Sequence, residues 1–319
     1  MTIRITALAA LCLLGGTLQV PIAHAQGCCS VGTSALGGPE RGVIRDHTLH
    51  MDISYHFNNL DISYNGSREI DDPLQRSASV EMLGVGMEYG IARRISVMVQ
   101  IGYFEKNRTI TVRGDTFESQ EEVDFRGRGF GDLLVLAKYR VIEPSIISPF
   151  EFSAGGGAKL PIGRYRQDVR GTRLALDLQA GTGATDLLAW AHAGYSFVPT
   201  GIGLMAWILH RYPGANLENY RYGDETLFNI GITKQVAGFL EIGIASRLRT
   251  AERDFSNGRL LQSTGGTQIS LFPHLSYLSS DSVFRFFGQI PVSQNLLGIQ
   301  LGLSYLIGVE LGYTFDLGS

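Results

Sequence analysis

Cysteine is scarce in this chain of 319 residues, which has only Cys12, Cys28 and Cys29, so no disulfide framework can staple the fold. Charge is scarce as well: Asp, Glu, Lys and Arg make up 18% of the residues and leave a formal net charge of −3. No Lys/Arg cluster stands out, so nothing marks nucleic acid as a partner. Long apolar runs are missing beyond residue 25, which excludes a membrane-spanning helix, since that needs about 20 apolar residues. Common enzyme motifs are missing too. There is no Gly-x-x-x-x-Gly-Lys-Ser/Thr loop, no His-Glu-x-x-His and no Gly-x-Ser-x-Gly.

What is present begins with residues 1–25, which read as an export signal. Arg4 supplies the positive start, Ile5 to Leu14 the apolar centre, and Ala23-His24-Ala25 the small-x-small cleavage site. Cleavage removes Arg4 and Cys12. The mature chain then has 26 Lys+Arg (27 less Arg4) against 30 Asp+Glu, a net of −4. Its only cysteines are the adjacent Cys28 and Cys29. Lipidation of Cys28 fits poorly, because the leucine expected three residues earlier is Ala25. Two thiolates alone leave a zinc site half empty. The pair is read as oxidised or free, without a task.

The mature chain alternates with period 2, the mark of strands whose two faces meet different surroundings. Leu49, Met51, Ile53, Tyr55 and Phe57 alternate with His50, Asp52, Ser54 and His56. Ile95 to Tyr103 and Leu133 to Val141 repeat the rhythm, and further segments cover roughly 78–90, 148–160, 172–183, 187–198, 225–236, 239–249, 266–278 and 282–291. The longest alternation runs from Leu297 to Phe315, as one strand or as two joined by a tight turn near Leu306. One face carries Leu, Ile, Val, Tyr and Phe, and the other is small, polar and rich in the chain's 40 glycines.

That division suits lipid on one side and a lumen on the other, and an open sheet edge in hydrocarbon would strand backbone polar groups. The expected fold is therefore all-β: a transmembrane antiparallel β-barrel over residues 47–315, with a leader at 26–46 and a short tail at 316–319. A periplasmic β-sandwich is the soluble alternative. Tyr89, Tyr103, Tyr139, Tyr195, Tyr277, Tyr313 and Phe315 fall near strand ends, as in an interfacial girdle. Long connections at 58–77, 105–129, 161–171 and 250–264 alternate with short ones at 91–92, 142–147, 184–186, 237–238 and 279–281. These read as long extracellular loops and short periplasmic turns. Twelve strands result if 296–315 is one strand and 199–224 a loop, and fourteen is the alternative. The apolar stretch Ile202 to Leu209 has no assigned place. The Gly-rich leader either hangs below the barrel or plugs it.

Strand charges should point inward, because an Arg or Lys facing lipid at mid-depth costs about 2–4 kcal/mol. Asp52, Asp132, Lys138, Glu151, Asp177, Glu241, Arg247 and Glu310 are the candidate lumen lining. They either fill the interior with ion pairs or line a path for solutes, and their mixed signs argue against a single-charge filter. His192 and Ser196 share one predicted face, which raises the thought of a lipid-cleaving barrel. That face is the lumen side, and no third group supports the pair, so no catalytic residue is assigned.

Several local sequences look like those of one family. Phe130-Gly131-Asp132-Leu133 with Lys138-Tyr139-Arg140 resembles its Gly-x-Gly-Asp…Lys-Tyr signature. Lys159-Leu160-Pro161-Ile162-Gly163 resembles its Leu-Pro-x-Gly strand end, and Gln179-Ala180-Gly181-Thr182-Gly183 its Gln-x-Gly-x-Gly turn. Tyr220-Arg221-Tyr222-Gly223-Asp224, Thr264-Gly265-Gly266 with Pro273, and Pro291 before the closing strand are also similar. The family is that of outer-membrane transporters labelled for the meta-pathway of phenol degradation, and the resemblance covers about residues 45–315.

It implies a passive outer-membrane channel for small, often aromatic solutes. Such a channel needs no cofactor and no metal, and its partners are the lipid bilayer, the assembly machinery and the solute. The resemblance supplies no site residues. The chain departs from many such barrels by continuing past Phe315 with Asp316-Leu317-Gly318-Ser319. A second possibility is a structural barrel with a filled lumen whose loops, the acidic 105–129 above all, bind a partner.

Overall fold

The computed structural model describes residues 40–113, 120–145, 147–169 and 171–318. The expected signal segment and the Cys28-Cys29 pair lie outside the described residues. Twelve antiparallel strands form the wall. In chain order they are β1 (Thr48–Leu60), β2 (Ser77–Ala92), β3 (Ile95–Arg113), β4 (Leu133–Ile142), β5 (Phe150–Leu160) and β6 (Asp186–Phe197). Then follow β7 (Ile202–Pro213), β8 (Glu225–Ala237), β9 (Leu240–Ala251), β10 (Gly266–Leu278), β11 (Ser282–Gly302) and β12 (Tyr305–Asp316). Each pairs with its chain neighbours, and β12 pairs with β1 from Thr48↔Asp316 to Asn59↔Tyr305. The ring is closed, so backbone donors and acceptors at mid-wall find partners without water.

The period-2 pattern decides which side chain faces where. Along β1 the residues from Thr48 to Leu60 alternate strictly between buried and more accessible. Outside, Ile53, Leu83, Ile230 and Leu311 are about half exposed, a surface suited to hydrocarbon. Ile53 lies between Val85 and Leu311 on the neighbouring strands, near mid-span. Changing Ile53→Arg should cost the folded barrel about 2–4 kcal/mol, whereas Phe315→Arg at the rim should cost about 0–1 kcal/mol. Refolding yields into lipid vesicles, read by heat-modifiable gel mobility, check the difference.

The two ends differ. The chain's two described ends meet at one, where Leu317 N–H donates to His47 O at 2.7 Å, and the connections there are short. Aromatic pairs collect at this turn end: Tyr195–Phe197 and Tyr313–Phe315 at 4.5 Å, and Phe239–Tyr277 at 5.8 Å between centroids. The opposite, loop end carries the long connections, with a two-residue reversal at Leu303-Ser304 as its exception.

The strand number is the expected twelve, but its membership differs. The 172–183 segment is no wall strand. It holds a two-residue strand at Thr172–Arg173 and a 3₁₀ turn at Leu176–Leu178, and it folds into the barrel mouth. Its apolar Leu174 and Leu178 mimic a lipid-facing stripe, but they pack on Leu60, Val80, Met82 and Phe104. The connection 184–186 is accordingly the end of a long loop, not a short turn. In exchange Ile202 to Leu209, unplaced from sequence, lies in β7, and 199–224 is not one loop. Residues 296–315 are two strands. The reversal comes at 303–304 rather than near Leu306, and Leu301 and Leu303 face the loop-end core, not lipid. Much of the 105–129 connection is hairpin, with Gln120–Phe130 pairing to the upper half of β3.

Candidate functional site

The lumen has three zones, and the first is made by the leader. Residues 40–46 do not hang free; they thread among the inward side chains of the turn end. Glu40 accepts from Arg247 on β9 at 2.8 Å and stands 3.8 Å from Arg285 on β11. Arg41 donates to Glu310 on β12 at 2.7 Å and lies 4.0 Å from Asp52 on β1. Lys138 on β4 donates to Arg41 O at 3.0 Å, and Arg140 donates to Val43 O. A Cβ at Gly42 would overlap the Glu151 carboxylate, so a larger residue there requires the Glu151 side chain to move aside.

The second zone is apolar. Met98, Leu136, Leu188, Trp190, Trp207 and Leu227 form one buried cluster across the mid-lumen. Both tryptophans of the chain are in it. Cations border the cluster: Lys138 Nζ is 5.0 Å from the Trp190 ring centre, and the Arg247 guanidinium is 5.2 Å from Trp207 and 3.9 Å from Phe272. Such placements give desolvated cations a favourable partner. Among the described residues, both ring nitrogens of His56, both amide atoms of Gln100 and Asn229, and Trp207 Nε1 are buried without a hydrogen-bond partner. Each such atom costs about 1–3 kcal/mol if it stays unsatisfied. Between the leader and the β7–β12 wall lies a partly enclosed cavity of about 80 Å³, lined in part by Arg247, Phe272, Arg285 and Phe287.

The third zone is the loop-end cap, where the family-like sequences converge. The Asp132 carboxylate accepts from Lys159 at 2.7 Å, Gly163 N–H at 3.1 Å, Thr182 N–H at 3.0 Å and the Thr182 hydroxyl at 2.6 Å. Gly131, Gly163 and Gly181 stack so closely that a Cβ on Gly163 or Gly181 would come within 2.6 Å of the next glycine's backbone. Beside this knot Arg108 pairs with Asp177, and Lys106 donates to Asp177 O at 3.0 Å. A second knot joins two loops: Asp254 accepts from the Tyr220 hydroxyl at 2.5 Å and from Gly223 N–H at 2.8 Å.

Burial raises the Asp254 carboxyl pKa, and burial together with Asp254 raises that of Tyr220. The folded cap therefore holds the Asp254 proton more tightly than the unfolded chain. The cap is firmest with Asp254 protonated and loosens as pH rises from the ordinary carboxylate range through the raised value. Asp254→Asn should flatten that dependence. The ratio of amide-exchange protection in segment 252–265 between variant and parent, taken pH by pH, checks it.

The structure separates the eight predicted residues. Asp52, Lys138, Glu151, Glu241, Arg247 and Glu310 project inward from wall strands, four of them buried and Glu151 and Glu241 half-buried. Lys138 pairs with Glu88 at 3.0 Å, and Glu151 lies 3.8 Å from Arg140 and 3.7 Å from His192. Asp132 and Asp177 are elsewhere: both fasten the cap, and Asp177 sits in the 3₁₀ turn rather than on a strand. His192 is buried and Ser196 lies exposed at the rim; among the described residues, no hydrogen bond joins them.

Sequence reasoning missed Glu40, Arg41 and the two tryptophans. Trp190 shares the phase of His192 and was legible as a large ring on a small-polar face. Trp207 lay in the unplaced segment, and nothing in the leader signalled its ion pairs.

No family model matches the chain, and no curated protein matches it. Among solved structures it is similar to an outer-membrane channel from Pseudomonas putida F1, with 12% identity and a TM-score of 0.65 over 88% of this chain and 99% of that one. This likeness shows the fold. The Ralstonia pickettii toluene transporter TbuX aligns at 8% identity and TM-score 0.43, over 85% of this chain and 90% of that one. The monoaromatic hydrocarbon channel CymD aligns at 10% and 0.42, over 85% and 88%.

Proposed function

We propose that this chain is an outer-membrane channel for the passive passage of small aromatic or hydrophobic solutes, a member of the phenol-pathway transporter family its motifs resemble. The observation that carries the reading is the apolar mid-lumen with both tryptophans, set inside a barrel whose ends are charged. A water-filled pore is polar along its interior. A solute ring instead gains by leaving water at an apolar wall, about 25 cal/mol for each Å² it buries.

In this reading the loop end faces outward, and the turn end faces the periplasm, into which the exported chain is delivered before the assembly machinery inserts it. The six inward charges line the path, and Asp132 and Asp177 hold its lid. The Pseudomonas putida neighbour is described as a channel, and this barrel is proposed to share that role. No step of such passage needs a cofactor, a metal or a catalytic residue.

The filled turn end and the buried Lys138–Glu88 pair favour one other reading, a structural barrel. Planar-bilayer recordings of the refolded mature protein, with and without phenol, separate the two. Stepwise conductance partly blocked by phenol supports the channel. A heat-modifiable barrel that inserts but never conducts supports the structural barrel.

A further inference from the structure

We propose that the cavity between leader and wall is a binding site for an aromatic carboxylate, and that Glu40 occupies it as an internal stand-in for that carboxylate; this rests on reading the barrel as an aromatic-solute channel. Glu40 reaches the site from the leader, not from the wall, and one of its oxygens stands 2.8 Å from Arg247 and the other 3.8 Å from Arg285. Arg247 is only 4% exposed and is held against Phe272 and Trp207. Phe287 lines the same cavity. Two guanidinium groups converging on one carboxylate beside aromatic walls form an anion-and-ring site.

Glu40 fills only the anion half, because its side chain offers two methylenes where the rings stand. An incoming benzoate-like solute supplies the same charge and adds a ring for Phe272 and Phe287. At Arg247 the exchange replaces one anion by another. When Glu40 leaves with the leader, the solute carboxylate takes its place, so Arg247 keeps an anion in a buried setting where an uncompensated charge is costly. Arg41 leaves Glu310 in the same movement, and Arg285, 3.8 Å away, stays beside it. Binding and displacement of the leader are thus one event.

The chain's two tryptophans both line the lumen, so their fluorescence reports occupancy without relying on transport. The full mature protein is titrated with benzoate and, as the neutral comparison, benzyl alcohol. We expect a saturable response to benzoate at a Kd at least about tenfold lower than for benzyl alcohol. Glu40→Gln should tighten benzoate about tenfold, since removing an internal competitor raises the binding-competent fraction. Arg247→Gln should abolish the benzoate response and spare that of benzyl alcohol; Arg285→Gln, at a more accessible position, should weaken it and serves where Arg247→Gln does not assemble. Equal responses to the two probes, or an unchanged benzoate Kd in Glu40→Gln, overturn the proposal.

Conductance of the same preparation keeps the two readings apart. Benzoate binding with the predicted Glu40 dependence in a barrel that never conducts upholds the site and sinks the channel. Conductance without saturable benzoate binding does the reverse.

Discussion

Deleting residues 40–46 is expected to raise the single-channel conductance several-fold and to leave the barrel assembled. The segment is held by Glu40 on Arg247, Arg41 on Glu310, and donations from Lys138 and Arg140 to its backbone. It contributes nothing to the wall ladder, which starts at Thr48. Lys138 retains Glu88 and Arg285 retains Glu310, while Arg247 gives up Glu40 and Asp52 gives up Arg41. Each 1.4 kcal/mol or so of hold removed multiplies the unplugged population about tenfold. Planar-bilayer recording checks the conductance, and heat-modifiable mobility checks assembly. An assembled deletion variant with unchanged conductance would place the closure at the loop-end cap instead.

Lys138→Met is expected to have the largest effect on stability. The Lys138 side chain is wholly buried, 3.0 Å from Glu88, whose other oxygen accepts from Ser96 at 2.6 Å. Removing the ammonium leaves Glu88 charged and enclosed, a loss of about 3–5 kcal/mol when one member of a buried pair is removed. The ring of Trp190 loses its cation as well. The double variant Lys138→Met with Glu88→Gln should recover most of the loss, because replacing both members of a buried pair is often near neutral. Urea unfolding of the barrel in vesicles, followed by tryptophan fluorescence, measures both. A double variant as weak as the single would mean that Lys138 matters mainly through its bonds to the leader.

The wall was readable in the sequence because strand period and burial obey one rule, a face for lipid and a face for the lumen. Ile53, Leu83 and Leu311 follow it. The rule failed where an apolar residue had a third choice, the core over the barrel mouth. Leu174, Leu178, Leu301 and Leu303 are as apolar as any lipid-facing residue, and alternation alone cannot say which oil-like surrounding they meet. It failed in the other direction for Ile202 to Leu209, where Trp207 and Leu209 put large apolar groups on the inner face and hid the contrast between faces.

Charge placement was half legible. Lipid forbids charge, which sends Asp52, Lys138 and Glu310 inward, but no local pattern shows which of these meets Arg41 or Glu40 from a segment far away in the chain. The family-like motifs were legible as motifs only. That Asp132, Gly163 and Thr182 form one knot follows from packing, which brings three loop segments to one carboxylate.

The seam between β1 and β12 also sets an order of events. The strands that must meet to shut the ring begin at residue 48 and end at residue 316, the most distant pairing in the fold, so closure carries the largest loop entropy and falls among the slowest steps. The leader runs straight into β1, one edge of that seam. While the ring is open, residues 40–46 can settle sideways onto Arg247 and Glu310; once it is shut, they can enter only end-on through the turn-end rim. The order of docking and closure decides whether the newly made barrel begins its life plugged.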